Sequence, residues 1–435
     1  MKNFKKLLSF AGFLLILFPA CRRKSVAFQP KAPAYWIDEA CIEVPKKRIL
    51  ILSSSGGGGH TAAAKAIQEY LQDKYQIEIV NVFEEVLLPL DPVHALTGGS
   101  YNGEDLYNYF LKTNSRFFAN NIVAFGKVTM NWQASRIQPL LEEFLLAYKP
   151  DALISVIPVL NGNILAVAEK LDIPFAVVAL DRDMASIGFL NGIWKPTYKK
   201  FVFGVPFNDE ILKKTVIRKT AIAPEQVRAI GVPVRTSFLE KKDIPTLRKE
   251  FNVPEGKPVV MVLMGSVGSG ATFRYARALA RMKQPVHLFL CLGKNEALRE
   301  RIEKEIVFPP HITVSIVGFT DRIADYMAAS NLLITKSGAV SHFESLVVRV
   351  PVLFDRTREV LTWEYMNISF VKEYGLGDEI CMVRRVPRMI DAYLKDPAQE
   401  QAVRERMAAY QLPDVRKNII TLVEDLLAMH EDTPI

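Results

Sequence analysis

The feature that most limits how this chain can fold is a series of uninterrupted aliphatic runs that comes twice. Residues 48–53, 77–82, 152–157, 175–180 and 201–205 form the first series, and residues 259–264, 286–292, 312–317, 332–335 and 350–354 form the second. A strand with one wet face alternates apolar and polar residues, whereas a continuous run is covered on both faces, as in a parallel sheet between helices. Helical patterns at 61–73, 137–148 and 162–171 separate runs of the first series. The expectation is an α/β chain of two Rossmann-like, doubly wound domains that face each other, with ligands in the cleft outside the carboxyl ends of their strands. A charged junction near 235–257 contains Pro245 and Pro254. The expected divisions are 1–24, a first domain over 45–240 with a helical insertion at 87–136, a second over 257–400, and C-terminal helices over 401–435.

Composition narrows the class. A length of 435 residues is too great for one small core and suits two domains of ordinary size. Cys21, Cys41, Cys291 and Cys381 are scattered without CxxC spacing, which indicates neither a zinc site nor a disulfide framework. Cys291 sits inside an aliphatic run and is expected in the core. The net charge of +8 admits nucleic acid, anionic lipid or a phosphorylated substrate as partner, and charge alone does not choose.

Lys2, Lys5 and Lys6 precede an apolar stretch over 7–20 that ends at Cys21, followed by Arg22, Arg23 and Lys24. This reads as a lipoprotein-like signal, an uncleaved membrane anchor or a misassigned start, and Phe18 and Pro19 depart from the usual lipoprotein cleavage box. Basic residues on both flanks leave the orientation unset. The insertion over 87–136 carries no strand signal. It mixes Tyr101, Tyr107, Tyr109, Phe110, Phe117, Phe118, Phe125 and Trp132 with Lys112, Arg116 and Lys127. That mixture fits either a membrane-interface surface or aromatic packing on the sheet.

Each series also contains a strand that stops at a glycine cluster and opens a helix, a geometry that brings backbone N–H groups and a positive helix end to one anion. The first cluster, Gly56 to Gly59 before His60, lacks both the Lys-Ser/Thr of a P-loop and dinucleotide spacing. At a helix start His60 would stay neutral and could accept a proton, or it could simply cap the helix. The second cluster begins at Gly265 and Ser266. Further on, the strand over 332–335 turns through Lys336, Ser337 and Gly338 into a helix carrying Glu344. The turn offers donors for a diphosphate, and Glu344 could hold paired ribose hydroxyls if that helix is shorter than two turns; the alternative is a solvated helix glutamate.

Several segments in consistent order resemble the diacylglycerol glycosyltransferases, the family of monogalactosyldiacylglycerol synthase and processive diacylglycerol glucosyltransferase, related to the lipid-II-forming N-acetylglucosaminyltransferase. They are Gly57-Gly58-Gly59-His60 with Ala62-Ala63-Ala64, Gly231-Val232-Pro233-Val234-Arg235 with Phe238, and Leu292-Gly293-Lys294-Asn295. Val317-Gly318-Phe319 and Met327-Ala328-Ala329-Ser330 before Leu333-Ile334-Thr335-Lys336 complete the series, which spans roughly residues 47–396.

The resemblance implies a GT-B fold whose first domain binds the acceptor and whose second binds a UDP-sugar. It implies His60 and Asp181 as catalytic residues. Gly265, Ser266, Thr335, Lys336, Ser337, Gly338, Glu344, Glu364 and Asn367 are implied on the donor side, and Gly58, Gly59, Trp194 and Arg235 on the acceptor side. Trp363 stands where the family has Gln beside the donor sugar, Asn191 where a His is expected between Asp181 and Trp194, and Ser337 and Ala339 where Pro and Gly are usual.

The implied reaction is inverting transfer of a hexose from a UDP-sugar to a membrane lipid such as diacylglycerol, with no cofactor and no metal. Asp181-Arg182-Asp183 is the nearest thing to a metal-binding acidic pair. The implied partners are the UDP-sugar, the lipid acceptor and an anionic membrane surface, not nucleic acid. The catalytic domains are expected on the cytoplasmic face of a membrane, where UDP-sugars are. The alternatives are a UDP-N-acetylglucosamine-dependent transferase on a polyprenyl-linked acceptor, an enzyme that isomerises a UDP-sugar, and a UDP-sugar-binding protein without turnover.

Overall fold

The computed structural model describes residues 46–113, 115–265 and 270–431. The signal-like segment over 1–24, Cys21, Cys41 and Ser266 lie outside the described residues. The first sheet is built from β1 (Arg48–Ser53), β2 (Gln76–Asn81), β3 (Ala152–Ser155), β4 (Phe175–Val178), β5 (Phe201–Val205) and β6 (Val227–Ala229). The second is built from β7 (Val259–Leu263), β8 (Val286–Gly293), β9 (Ile312–Gly318), β10 (Leu332–Thr335), β11 (Val352–Asp355) and β12 (Gly377–Ile380). Every pairing is parallel, in the orders β2-β1-β3-β4-β5-β6 and β12-β11-β10-β7-β8-β9. The two doubly wound sheets expected from the aliphatic runs are therefore present, and strands such as β3 and β4 are buried along their whole length. The strand order reverses between β1 and β3 in one sheet and between β7 and β10 in the other. At these points crossovers leave to opposite sides and a crevice opens.

Eight helices build the cleft or join the two lobes. They are α1 (Gly59–Leu71), α2 (Gly103–Lys112), α3 (Arg116–Trp132), α4 (Ala134–Tyr148), α5 (Ala339–Val347), α6 (Tyr365–Glu373), α7 (Pro397–Ala409) and α8 (Val415–Glu431). Helix α1 packs closely on the first sheet because its inner face is mostly alanine, with Ala63, Ala64 and Ala66 fully buried. The insertion is helical, and Phe110 of α2 stacks on Phe118 of α3 at 5.1 Å between ring centres. Some of its aromatics do pack inward in this way, while Tyr109, Phe117, Phe125 and Trp132 stay exposed. Its cations are divided too. Lys112 is exposed, but Arg116 is buried and Lys127 donates to Ser186 O at 2.9 Å, so the surface is more aromatic than basic.

The chain crosses between the lobes twice. After α7 it returns to the first lobe, where Val415, Ile419, Leu422, Val423 and Leu426 of α8 join Ile49, Ile51, Ala152 and Ile154 in one core. Ion pairs of Lys74 with Glu424 and of Arg228 with Asp425 border that contact. Near the same crossing Arg182 of the first lobe lies between two rings, 3.6 Å from the centre of Phe207 and 3.5 Å from that of Phe370 on α6. Tyr410, just before α8, accepts from its guanidinium at 3.4 Å.

Leu422 is 1 % exposed on the face of α8 that covers the first sheet. Leu422→Ala is expected to cost about 2–5 kcal/mol by leaving a cavity there, read as a lower urea midpoint.

Candidate functional site

The two reversal points face each other. Helix α1 begins where β1 ends, through Gly57 and Gly58 at φ of 80° and 82°, a left-handed turn that glycine adopts without strain. Helix α5 begins just after β10, with Gly338 as its first flanking residue. A Cβ placed on Gly59 would lie 3.5 Å from Val340 of α5, so the two helix starts meet nearly end to end. A cavity of about 570 Å³ opens between them. His60, Gly58, Gly59, Asp181, Arg235, Gly265, Thr335, Lys336, Gly338, Glu344 and Glu364 line it, with Trp363 beside them.

Half-buried His60 projects from the first turn of α1 toward the end of β3, where Nδ1 lies 2.7 Å from Val156 O. A carbonyl oxygen only accepts, so Nδ1 carries the hydrogen and Nε2 keeps a free lone pair. Burial holds the imidazole pKa below its usual value and outweighs the opposing effects of the Val156 carbonyl and the Glu104 charge. The ring is therefore neutral at pH 7, in the tautomer that accepts a proton at Nε2.

Asp181 follows β4 and is 6 % exposed. Burial, and then the charges of Glu364 and Asp183, push its pKa up to about 8. It is thus mostly protonated at neutral pH. The other members of the Asp181-Arg182-Asp183 run are engaged elsewhere. Arg182 is held between rings, and Asp183 Oδ1 accepts from Ser186 N at 3.0 Å as a helix cap. Among the described residues, no group of three or more His, Cys, Asp or Glu side chains could hold a metal ion.

The first glycine loop departs from the expected open anion site. Glu104, near the start of α2, accepts from Ser55 N at 2.9 Å, Ser55 Oγ at 2.8 Å, Gly56 N at 3.2 Å and Asn81 Nδ2 at 2.7 Å, and also from Ser54 Oγ. Asn108, one turn later, accepts from Gly57 N at 3.0 Å. A carboxylate of the insertion occupies the place a phosphate would take, so this loop positions His60 rather than offering those amides to a ligand. Glu104 and Asn108 carried no sequence signal as loop clamps. A carboxylate in the first turn of a helix ordinarily stabilises that helix end from solvent.

At the end of β7, among the described residues, no carboxylate accepts from the Gly265 N–H. Gly265 stands at φ 94°, and a Cβ there would come within 3.3 Å of Lys336 Nζ. Half-buried Lys336 therefore lies over the backbone at the β7–β10 reversal, next to the start of α5. Burial lowers its pKa first, and the positive charge of Arg116 adds to the effect. Thr335 and Asn367 shape this loop from behind. Thr335 Oγ1 donates to Leu263 O at 2.7 Å, joining β10 to β7, and Asn367 Nδ2 donates to Ser337 O at 2.8 Å. Neither Ser337 nor Asn367 lines the main cavity. Ser337 Oγ donates to Glu364 Oε2 at 3.2 Å, and burial raises the Glu364 pKa against the nearby positive charges of Arg116 and Lys336.

Glu344 reaches the cavity although α5 runs for nine residues, longer than the expected limit of two turns, because the cleft extends along the side of the helix. It is 6 % exposed, and burial pushes its pKa up to about 7 against the pull of Arg235, whose guanidinium is 3.9 Å away. Arg235 thus stands beside the donor-side carboxylate rather than deep in the first lobe. Trp194 does not line the cavity. It is 65 % exposed, and Lys195 Nζ lies 5.7 Å from its ring centre. Asn191, where a histidine was expected, donates to Val159 O at 2.7 Å and to Lys127 O at 3.1 Å, tying its loop to α3.

Glu104→Ala leaves the Ser55 amide without its acceptor and Gly56 N with Ser54 Oγ alone. A loss of about 1–3 kcal/mol is expected, seen as a lower thermal midpoint that Glu104→Gln partly restores.

Comparison with known proteins fits this arrangement. Residues 259–354 match the glycosyltransferase family 28 C-terminal domain. Monogalactosyldiacylglycerol synthase of Spinacia oleracea is 26 % identical over 406 residues, 88 % of this chain and 73 % of that protein. The processive diacylglycerol beta-glucosyltransferase of Bacillus cereus is 22 % identical over 385 residues, 87 % of this chain and 94 % of that protein. Among solved structures, MurG of Acinetobacter baumannii superposes with a TM-score of 0.56 at 14 % identity, covering 88 % of this chain and 100 % of that one. The chain therefore has a GT-B fold, matches the glycosyltransferase family 28 C-terminal domain over residues 259–354, and is similar to the diacylglycerol glycosyltransferases.

Proposed function

We propose that this protein is an inverting hexosyltransferase that moves a sugar from a UDP-sugar to the hydroxyl of a membrane lipid of the diacylglycerol type. The observation that carries the reading is the shared cavity. It joins a neutral histidine with a free Nε2, on the first lobe, to the start of α5 with Lys336 and to a buried carboxylate on the second. The acceptor hydroxyl attacks the anomeric carbon while the bond to the β-phosphate breaks on the opposite face. His60 Nε2 takes the hydroxyl proton. The backbone donors at the start of α5 and the Lys336 ammonium face the diphosphate, which leaves with the electron pair of the broken bond. Glu344, as a carboxylate, accepts from both ribose hydroxyls. The protonated Asp181 can donate a hydrogen bond to a bound hydroxyl without itself acting as the base.

Membrane docking belongs to the same reading. Helix α3 presents Phe117, Phe125, Val128 and Trp132 to solvent, and exposed Trp194 lies in the loop that Asn191 ties to α3. Rings of this kind settle at the headgroup level of a bilayer. Among the described residues no helix is long and apolar enough to cross a membrane, so α3 is read as lying on the surface.

Incubation with UDP-glucose, UDP-galactose or UDP-N-acetylglucosamine, and with liposomes containing diacylglycerol or a polyprenyl-linked acceptor, tests the assignment. A hexosyl-diacylglycerol is expected. An altered nucleotide sugar, a product on the polyprenyl carrier alone, or UDP binding without turnover would each refute it. His60→Ala is expected to lower kcat by about 10²–10⁴-fold with folding intact, the range typical of a lost general base.

The Glu344 carboxyl is ionised above about pH 7 and protonated below it. Only the ionised form accepts two hydroxyl hydrogens, so UDP affinity is expected to fall as pH drops through 7, approaching about tenfold per unit. Titration calorimetry across pH 5.5–8.5 would check this, with Glu344→Gln flattening the profile.

A further inference from the structure

Resting on the reading of the cleft as a UDP-sugar site, we propose that Arg116 is a further catalytic residue, carried across the cleft by the helical insertion to bind the donor diphosphate. Arg116 is the first residue of α3, and the first turn of that helix holds no acidic side chain. A cation at the positive end of a helix is disfavoured by the helix dipole, so its placement there calls for a compensating partner. Arg116 is 8 % exposed and, among the described residues, makes no hydrogen bond and no ion pair. Glu364 lines the same recess but accepts from Ser337 rather than from the guanidinium, so the buried Arg116 lacks a hydrogen-bonding acceptor, which points to a ligand as the missing partner.

The surroundings identify that ligand's chemistry. Arg116 lines both the main cavity and an adjoining recess with Lys336, Ser337, Asp355, Arg358, Glu359 and Glu364, at the start of α5. Two cations from opposite lobes, Arg116 and Lys336, face the same helix end. The Glu364 carboxylate beside them already accepts from Ser337, and Asp355 from Tyr275 and Thr357. A diphosphate therefore supplies the acceptor oxygens that the two cations lack, and a planar guanidinium can engage two of them in parallel.

The insertion is also held against the second lobe. Asn120, one turn after Arg116 on the same face of α3, accepts from Thr362 N at 3.1 Å. That bond anchors α3 to the segment bearing Glu364. During transfer the acceptor oxygen bonds to the anomeric carbon, its proton passes to His60, and the electron pair of the breaking bond goes to a β-phosphate oxygen. Arg116 stabilises the charge that collects on that oxygen.

The experiment compares UDP with uridine, which lacks the phosphates, by titration calorimetry on the full-length protein, its R116A variant and its R116K variant. R116A is expected to weaken UDP at least about tenfold while leaving uridine within about twofold, because only charge-assisted bonds to phosphate are lost. R116K should recover part of the UDP affinity, since it keeps the charge without the fork. The kcat for hexose transfer to diacylglycerol liposomes should fall about 10²-fold or more in R116A. Unchanged UDP affinity, or equal losses for UDP and uridine, would overturn the proposal. If R116A loses its circular-dichroism melt, R116K decides: a UDP-selective loss supports the role and parity with the parent protein refutes it. Wild-type protein that binds UDP yet transfers no sugar to lipid would defeat the functional reading alone, since the UDP-against-uridine comparison still decides whether Arg116 meets the diphosphate.

Discussion

The cleft depends on the end-on approach of two helix starts. α1 and α5 begin just beyond the carboxyl ends of β1 and β10, each at the point where its sheet reverses strand order. Their macrodipoles aim positive ends into the same space, which depresses the basicity of groups placed there and favours anions. His60, at the start of α1, has its basicity lowered by burial. The helix end at Gly338 and the Lys336 ammonium line the opposite side of the same cavity. The glycines at 57 and 58 matter because they carry the left-handed turn through which β1 leads into α1.

The two loops that form this meeting point are used differently. The first is closed by the chain's own carboxylate, Glu104, and by Asn108, so its amides serve to fix the position of the histidine. Where β7 and β10 end, no carboxylate clamps the backbone amides in this way among the described residues, and Arg116 and Lys336 stand there beside Glu364. On the proposed function, the first loop supports chemistry on the acceptor hydroxyl and the second lobe's side of the cavity receives charge. The insertion between them takes part in both tasks, through Glu104 on α2 and Arg116 on α3.

Much of the fold was legible because its strands are continuous aliphatic runs, whose double burial admits few other interpretations. The edge strands β6 and β12 were not, since Val-Arg-Ala and Gly-Asp-Glu-Ile have partly polar, half-buried faces. Local motifs brought most candidate residues to one cavity, because glycine-to-helix turns fix where a backbone goes. They failed where the partner is distant in sequence. Nothing near Arg235 says that Glu344 will stand opposite it, and nothing near Trp194 says that its loop turns outward. Arg116 offered one clue that could have been read, a cation at a helix start with no acidic neighbour in the first turn.

The return of α8 to the first lobe has a bearing on biosynthesis. Ile49, Ile51, Ala152 and Ile154 present an apolar sheet face that is completed only by residues beyond 415. The lobe made first on the ribosome therefore cannot finish folding until the last helix has emerged. Until then its greasy surface needs a chaperone or the second lobe for shelter, and a nascent chain arrested before α8 would be a substrate for aggregation rather than a half-enzyme.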